Sequence, residues 1–141
     1  MISFFKNKDN NEENRNNSYL KIAALLIHAA KIDENYTKEE EEIMKNTLIK
    51  LGANSSKIEK IILDAKIIED DSSQILNFTK KIKDMEESDK IKIIEALWTI
   101  IYSNKNADMY ETNLMRRLAG LLYIDTKIMS SIKEKVKERF L

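Results

Sequence analysis

Cysteine and proline are both absent from this chain of 141 residues, and glycine occurs only twice. Without Cys there is no disulfide, no thiolate metal site and no Cys nucleophile, so a metal held here needs hard oxygen ligands or the single histidine. The chain carries no redox chemistry of its own. Lacking Pro and nearly lacking Gly, it also lacks the usual breakers of regular structure, and no stretch alternates apolar and polar residues long enough to read as a strand. An all-α fold is expected. Nor is there a run near the roughly 18 apolar residues that a membrane span needs, since Lys21, His28 and Lys31 interrupt the richest one. Charge of one sign is missing as well: 24 basic residues balance 24 acidic ones. A net charge of zero argues against bulk attraction to nucleic acid, and electrostatic function is expected to be local.

What is present is a sequence that contains itself twice. Residues 20 to 57 lie on residues 91 to 128 without a gap, at an offset of 71 positions. Each copy runs from an apolar segment through an acidic turn into an amphipathic segment. Residues 6 to 17, KNKDNNEENRNN, hold no apolar side chain and cannot offset the entropy of ordering. Residues 1 to 17 therefore read as a disordered tail and 18 to 141 as one helical domain. The apolar start Met1 to Phe5 is too short for a signal-peptide core and reads as packing on its own domain or fraying, with insertion into a membrane surface or partner groove as the alternative. Cytoplasmic residence is the expectation.

Seven helices are predicted within the domain. Ser18 is the expected cap of a central first helix whose Leu20 to Ala30 stretch is apolar around most of its circumference. Thr37 caps the second, with Glu40 three residues on completing a capping box, and Gly52 ends it. Helices from about 55 to 69 and 72 to 83 follow. The fifth, from Ser88 to about Ser103, repeats the crowded apolar character of the first around Trp98. Asp108 with Glu111 caps the sixth, and Asp125 begins the seventh. The predicted architecture is two pseudo-symmetric three-helix units, joined by the fourth helix, with helices 1 and 5 packed together inside.

The only candidate site is the pair of acidic turns. Asp33, Glu40, Asp108 and Glu111, with the amide oxygen of Asn104, supply oxygen ligands of the kind that Ca2+, Mg2+ or Mn2+ prefers. The competing reading is plain helix capping, because Thr37 with Glu40 and Asp108 with Glu111 are sufficient as capping boxes. Glu39 to Glu42 reads as a solvated face with partners four residues on, such as Glu41 with Lys45. His28 shares a thin polar stripe with Lys21 and Lys31. A hydrolytic role for it would require it to meet Asp33; its expected role is that of a satisfied helix histidine. No Gly-rich phosphate loop and no recognisable nucleophile setting occur, so no enzyme is expected. Trp98 is expected in the core rather than in a ligand box. The basic residues of the fourth, sixth and seventh helices suggest a polarised surface suited to a charged protein or anionic lipid.

The pattern of apolar helix, A-x-x-D turn and capped acidic helix, repeated with Glu95-Ala-Leu-Trp98 before the second turn, resembles the TerB-like tellurite-resistance domain over roughly residues 18 to 139. In that family each repeat carries an Asp-Gly turn with an acid seven positions after the Asp. Asp33 and Glu40 match both positions in the first copy; the second has Asn104 for the Asp and keeps Glu111, and Glu34 and Lys105 replace the glycines. The resemblance implies a helical cytoplasmic module linked to tellurite and related stress, binding a divalent metal and working beside membrane-associated protein partners. A related variant, the amino-terminal region of DjlA-type co-chaperones, implies instead a metal-independent interaction adaptor.

Overall fold

A computed structural model describes residues 2–31, 37–71, 75–103 and 109–140, with side chains from residue 13 in the first helix and from residue 113 in the sixth. Seven α-helices and one 3-10 turn make up these residues, and no strand occurs among them. In chain order they are α1 (Ile2–Lys31), α2 (Lys38–Lys50), a 3-10 turn (Ser55–Lys57), α3 (Ile58–Asp71), α4 (Leu76–Ile82), α5 (Glu87–Ser103), α6 (Met109–Leu121) and α7 (Thr126–Glu138).

The first helix departs from the sequence reading. It begins at Ile2, ahead of the expected cap at Ser18, and runs unbroken into the apolar segment. With no Pro to stop it, a helix nucleated on the buried segment extends by one backbone hydrogen bond per added residue. Ser18 is accordingly no cap: its hydroxyl donates to the Asn14 carbonyl at 2.9 Å, the bond of a helix-interior serine. Residues 13 to 17 are exposed, whereas Ile22 to Ile27, Ala29 and Ala30 are all buried. That all-round burial makes α1 central. It packs against α3, α4 and α5; α5 packs in turn against α2 and α7. These contacts fit two three-helix units meeting through their apolar helices.

Local geometry recurs at the same offset of 71 as the sequence. Helix α2 ends in a Schellman motif, with Ala53 N–H donating to Leu48 O at 2.9 Å and Gly52 N–H to Ile49 O at 3.0 Å. Helix α6 ends in the same way, with Ile124 N–H on Ala119 O at 2.9 Å and Tyr123 N–H on Gly120 O at 3.4 Å. The residue after each helix cap has a positive φ: 108° at Gly52 and 55° at Tyr123. Next comes a side chain that accepts from the backbone two residues on, Asn54 from Ser56 and Asp125 from Lys127. Even the carbonyl at each end is capped from an equivalent position. Tyr19 Oη donates to Leu51 O at 3.3 Å, and the buried Lys90 Nζ donates to Leu122 O at 2.9 Å.

Tyr123 thus occupies a backbone conformation that costs a side-chain-bearing residue roughly 1–2 kcal/mol and that glycine adopts freely. Tyr123→Gly is expected to raise stability by about 0.5 kcal/mol after the added entropy of the unfolded glycine. Gly52→Ala is expected to lower it by about 1–2 kcal/mol, since a Cβ there would also lie 3.1 Å from the Tyr19 hydroxyl oxygen. Urea midpoints at unchanged slope measure both; a Gly52→Ala protein as stable as the parent would contradict the strained-turn assignment.

Candidate functional site

Of the five oxygen donors singled out in the sequence, Glu40 alone has a described side chain. Asp33, Asn104, Asp108 and Glu111 lie where the structure describes no side chain, and Asp33, Asn104 and Asp108 lie outside the described residues altogether. Glu40 is fully buried. Its Oε1 accepts from the Thr37 N–H at 3.0 Å and from the Thr37 hydroxyl at 3.0 Å, while Thr37 Oγ1 accepts from the Glu40 N–H at 3.2 Å. This is the predicted capping box, closed in both directions. One carboxylate oxygen of the first acidic turn is therefore already committed to the start of α2. No group of three or more His, Cys, Asp or Glu side chains that could hold a metal is gathered among the described residues.

The glutamates after Glu40 do not pair as expected. Lys45 approaches Glu42 at 3.9 Å, one residue closer along the helix, and Glu41 instead faces Lys66 of α3 at 3.9 Å. Packing of α2 beside α3 brings a lysine from another helix nearer than the one four residues away.

His28 belongs to a cluster that sequence reasoning missed. Its Nδ1 lies 3.3 Å from Glu69 Oε1; Lys31 Nζ donates to Glu69 Oε2 at 2.7 Å and to Asp70 Oδ1 at 2.6 Å. Glu69 is buried, so its carboxylate needs these partners. Hydrogen bonds to Asp70 and then Glu69 raise the Lys31 ammonium above its usual value, holding it charged. The ammonium fills the place between the carboxylates that a metal ion would take. This cluster ties the end of α1 to the end of α3. One signal was available: Glu69 follows Ala65 by four residues and Ile61 by eight, on the inward stripe of α3. Ile68, expected inward, is only partly buried.

A second polar feature lies on α5 and α7. Trp98 is 3% exposed, as expected for a core residue, and its Nε1 has no hydrogen-bond partner among the described residues. The indole stacks on Tyr102 at 5.9 Å, Tyr102 stacks on Phe140 at 6.4 Å, and Lys133 Nζ stands 5.4 Å from the indole centroid. Burial, then the nearby Glu134 charge, raises the Tyr102 phenol above its usual value.

The geometry defines an all-helical module in which two apolar helices, α1 and α5, pack against each other and carry the remaining helices. The family described as Tellurite resistance protein TerB matches residues 19–134, and the chain belongs to that family. No curated protein and no solved structure matches it.

Proposed function

We propose that this chain is a non-enzymatic binding module of a tellurite-type stress response, taking a divalent cation at its acidic turns and docking onto protein partners in the cytoplasm close to a membrane. The observation that carries the reading is membership of the TerB family across residues 19–134, the part of the chain that holds both turns. Asp33, Glu40, Asn104, Asp108 and Glu111 are the proposed ligands. Carboxylate and amide oxygens suit Ca2+, Mg2+ or Mn2+, which would supply a fixed local charge to an otherwise neutral chain. The described part of this set, Glu40, keeps one oxygen in the capping box, which limits how it would face an ion. No helix among the described residues is long and apolar enough to cross a membrane, and the proposed membrane association is peripheral.

The closed capping box favours a second reading, a metal-independent interaction adaptor, because it accounts for Glu40 without an ion. Titration with calcium, magnesium and manganese, followed by melting temperature and Trp98 fluorescence, separates the two. A bound ion at 100 times its Kd stabilises by about 2.7 kcal/mol and raises the melting temperature. A melting temperature unmoved at millimolar metal would leave the adaptor.

A further inference from the structure

We propose that the cleft between α5, α6 and α7 binds a small amphipathic carboxylate, its apolar group against Met115, Ala119 and Met129 and its anionic head on Arg116 and Lys133. The cleft has a volume of about 200 Å³, is open to solvent on one side, and is lined by Trp98, Met115, Ala119 and Met129 with Arg116 and Lys133.

Comparison of the two copies shows how shape and charge are redistributed around this cleft. At the equivalent positions the first copy has Leu48 for Ala119, Ile62 for Lys133, Ile58 for Met129 and Ile27 for Trp98, and all four of these aliphatic residues are buried at 3% exposure or less. There, the α1–α3 face is closed by its own side chains. In the second copy a methyl group replaces the isobutyl group of Leu48, while the larger indole of Trp98 stands for Ile27 and the longer, cationic Lys133 for Ile62; Trp98, Ala119 and Met129 are buried at 6% exposure or less. The result is a hollow with an apolar floor and two cations at its edge.

Three further observations point to an anionic occupant. Among the described residues no acidic side chain lines the cleft, and neither Arg116 nor Lys133 forms an ion pair. Lys133 instead rests over the indole, a contact that a carboxylate would outcompete. Thr126 and Ser130 add hydroxyl donors on the first turns of α7. Finally, the indole N–H of Trp98 has no acceptor among the described residues, where isoleucine serves in the first copy, so a ligand oxygen in the cleft would be a favourable partner for it. Size limits the class: a cavity of about 150 Å³ takes benzene, so this one accommodates a single ring or short branched chain, and it falls below the roughly 300 Å³ of sites for larger ligands.

The experiment uses the whole chain with 3-phenylpropionate as probe and 3-phenylpropan-1-ol as the uncharged control, read by Trp98 fluorescence and by shifts of the Met115 and Met129 methyl resonances. Saturable binding of the carboxylate, at least about fivefold tighter than of the alcohol, is expected from charge-assisted contacts. Arg116→Gln with Lys133→Gln should remove that preference. Ala119→Leu, which restores the side chain of the first copy, should abolish binding. If Ala119→Leu fails to fold, the charge variant still decides, because both its positions are on the cleft rim. Absence of saturable binding, equal affinity for the alcohol, or full affinity in a folded Ala119→Leu protein would each overturn the proposal.

Discussion

Phe78→Ala is expected to lower stability by about 3–5 kcal/mol and the melting temperature by more than roughly 10 °C. Phe78 is completely buried and is among the largest fully enclosed side chains of the core. It belongs to α4, which spans only seven residues and inserts Phe78, Thr79 and Ile82 toward the centre. A helix this short is marginal without tertiary contacts, so its place against α1 depends on those three side chains. Removing the ring leaves a void lined by helices that cannot close over it freely. Urea denaturation of the variant measures the cost, and a loss below about 1 kcal/mol would contradict the assignment of α4 as a core element.

Glu40→Ala is the second large effect, with an expected loss of about 2–3 kcal/mol. The substitution removes the acceptor of both the Thr37 N–H and the Thr37 hydroxyl, and leaves a void where the fully buried Glu40 side chain had been. Glu40→Gln should cost less than about 1 kcal/mol, because glutamine also serves as the third helical residue of a capping box. The pair separates the two readings of the acidic turn. If the carboxylate is only a cap, Glu40→Gln leaves any metal-induced rise in melting temperature unchanged; if it is a ligand, Glu40→Gln diminishes that rise while the apo protein remains nearly as stable as the parent. A Glu40→Ala protein as stable as the parent would remove the capping role itself.

Much of this fold was legible in the chain because helix-forming patterns are local. The Thr37 and Glu40 spacing foretold a capping box, Gly52 a helix end, Asp125 a cap, and the crowded apolar segments around Leu25 and Leu97 the two central helices; each appears where expected. Helix limits were less legible. Residues 6 to 17 lack apolar side chains, yet α1 runs through them, because helix can propagate outward from a buried segment without needing burial of its own.

Side-chain partnerships across helices were legible least. Glu69 and Lys90 are charged residues on inward faces, and nothing in their neighbours along the chain says that His28 and Lys31, or the carbonyl of Leu122, will satisfy them. For the acidic turns the candidate ligands were legible as residue types, while Glu40 alone has a described environment, and it is that of a cap.

The sequence by itself determined that the chain is helical and where several of its caps fall, because capping, periodicity and the absence of Pro act within a few residues. Tertiary structure alone decided which equivalent positions are filled and which are hollow. Leu48 and Ala119 are both unremarkable inward residues in their own helices. Only the approach of α5 and α7 makes the smaller one leave a cleft beneath two cations, because packing depends on the summed volumes of side chains brought together from distant parts of the chain.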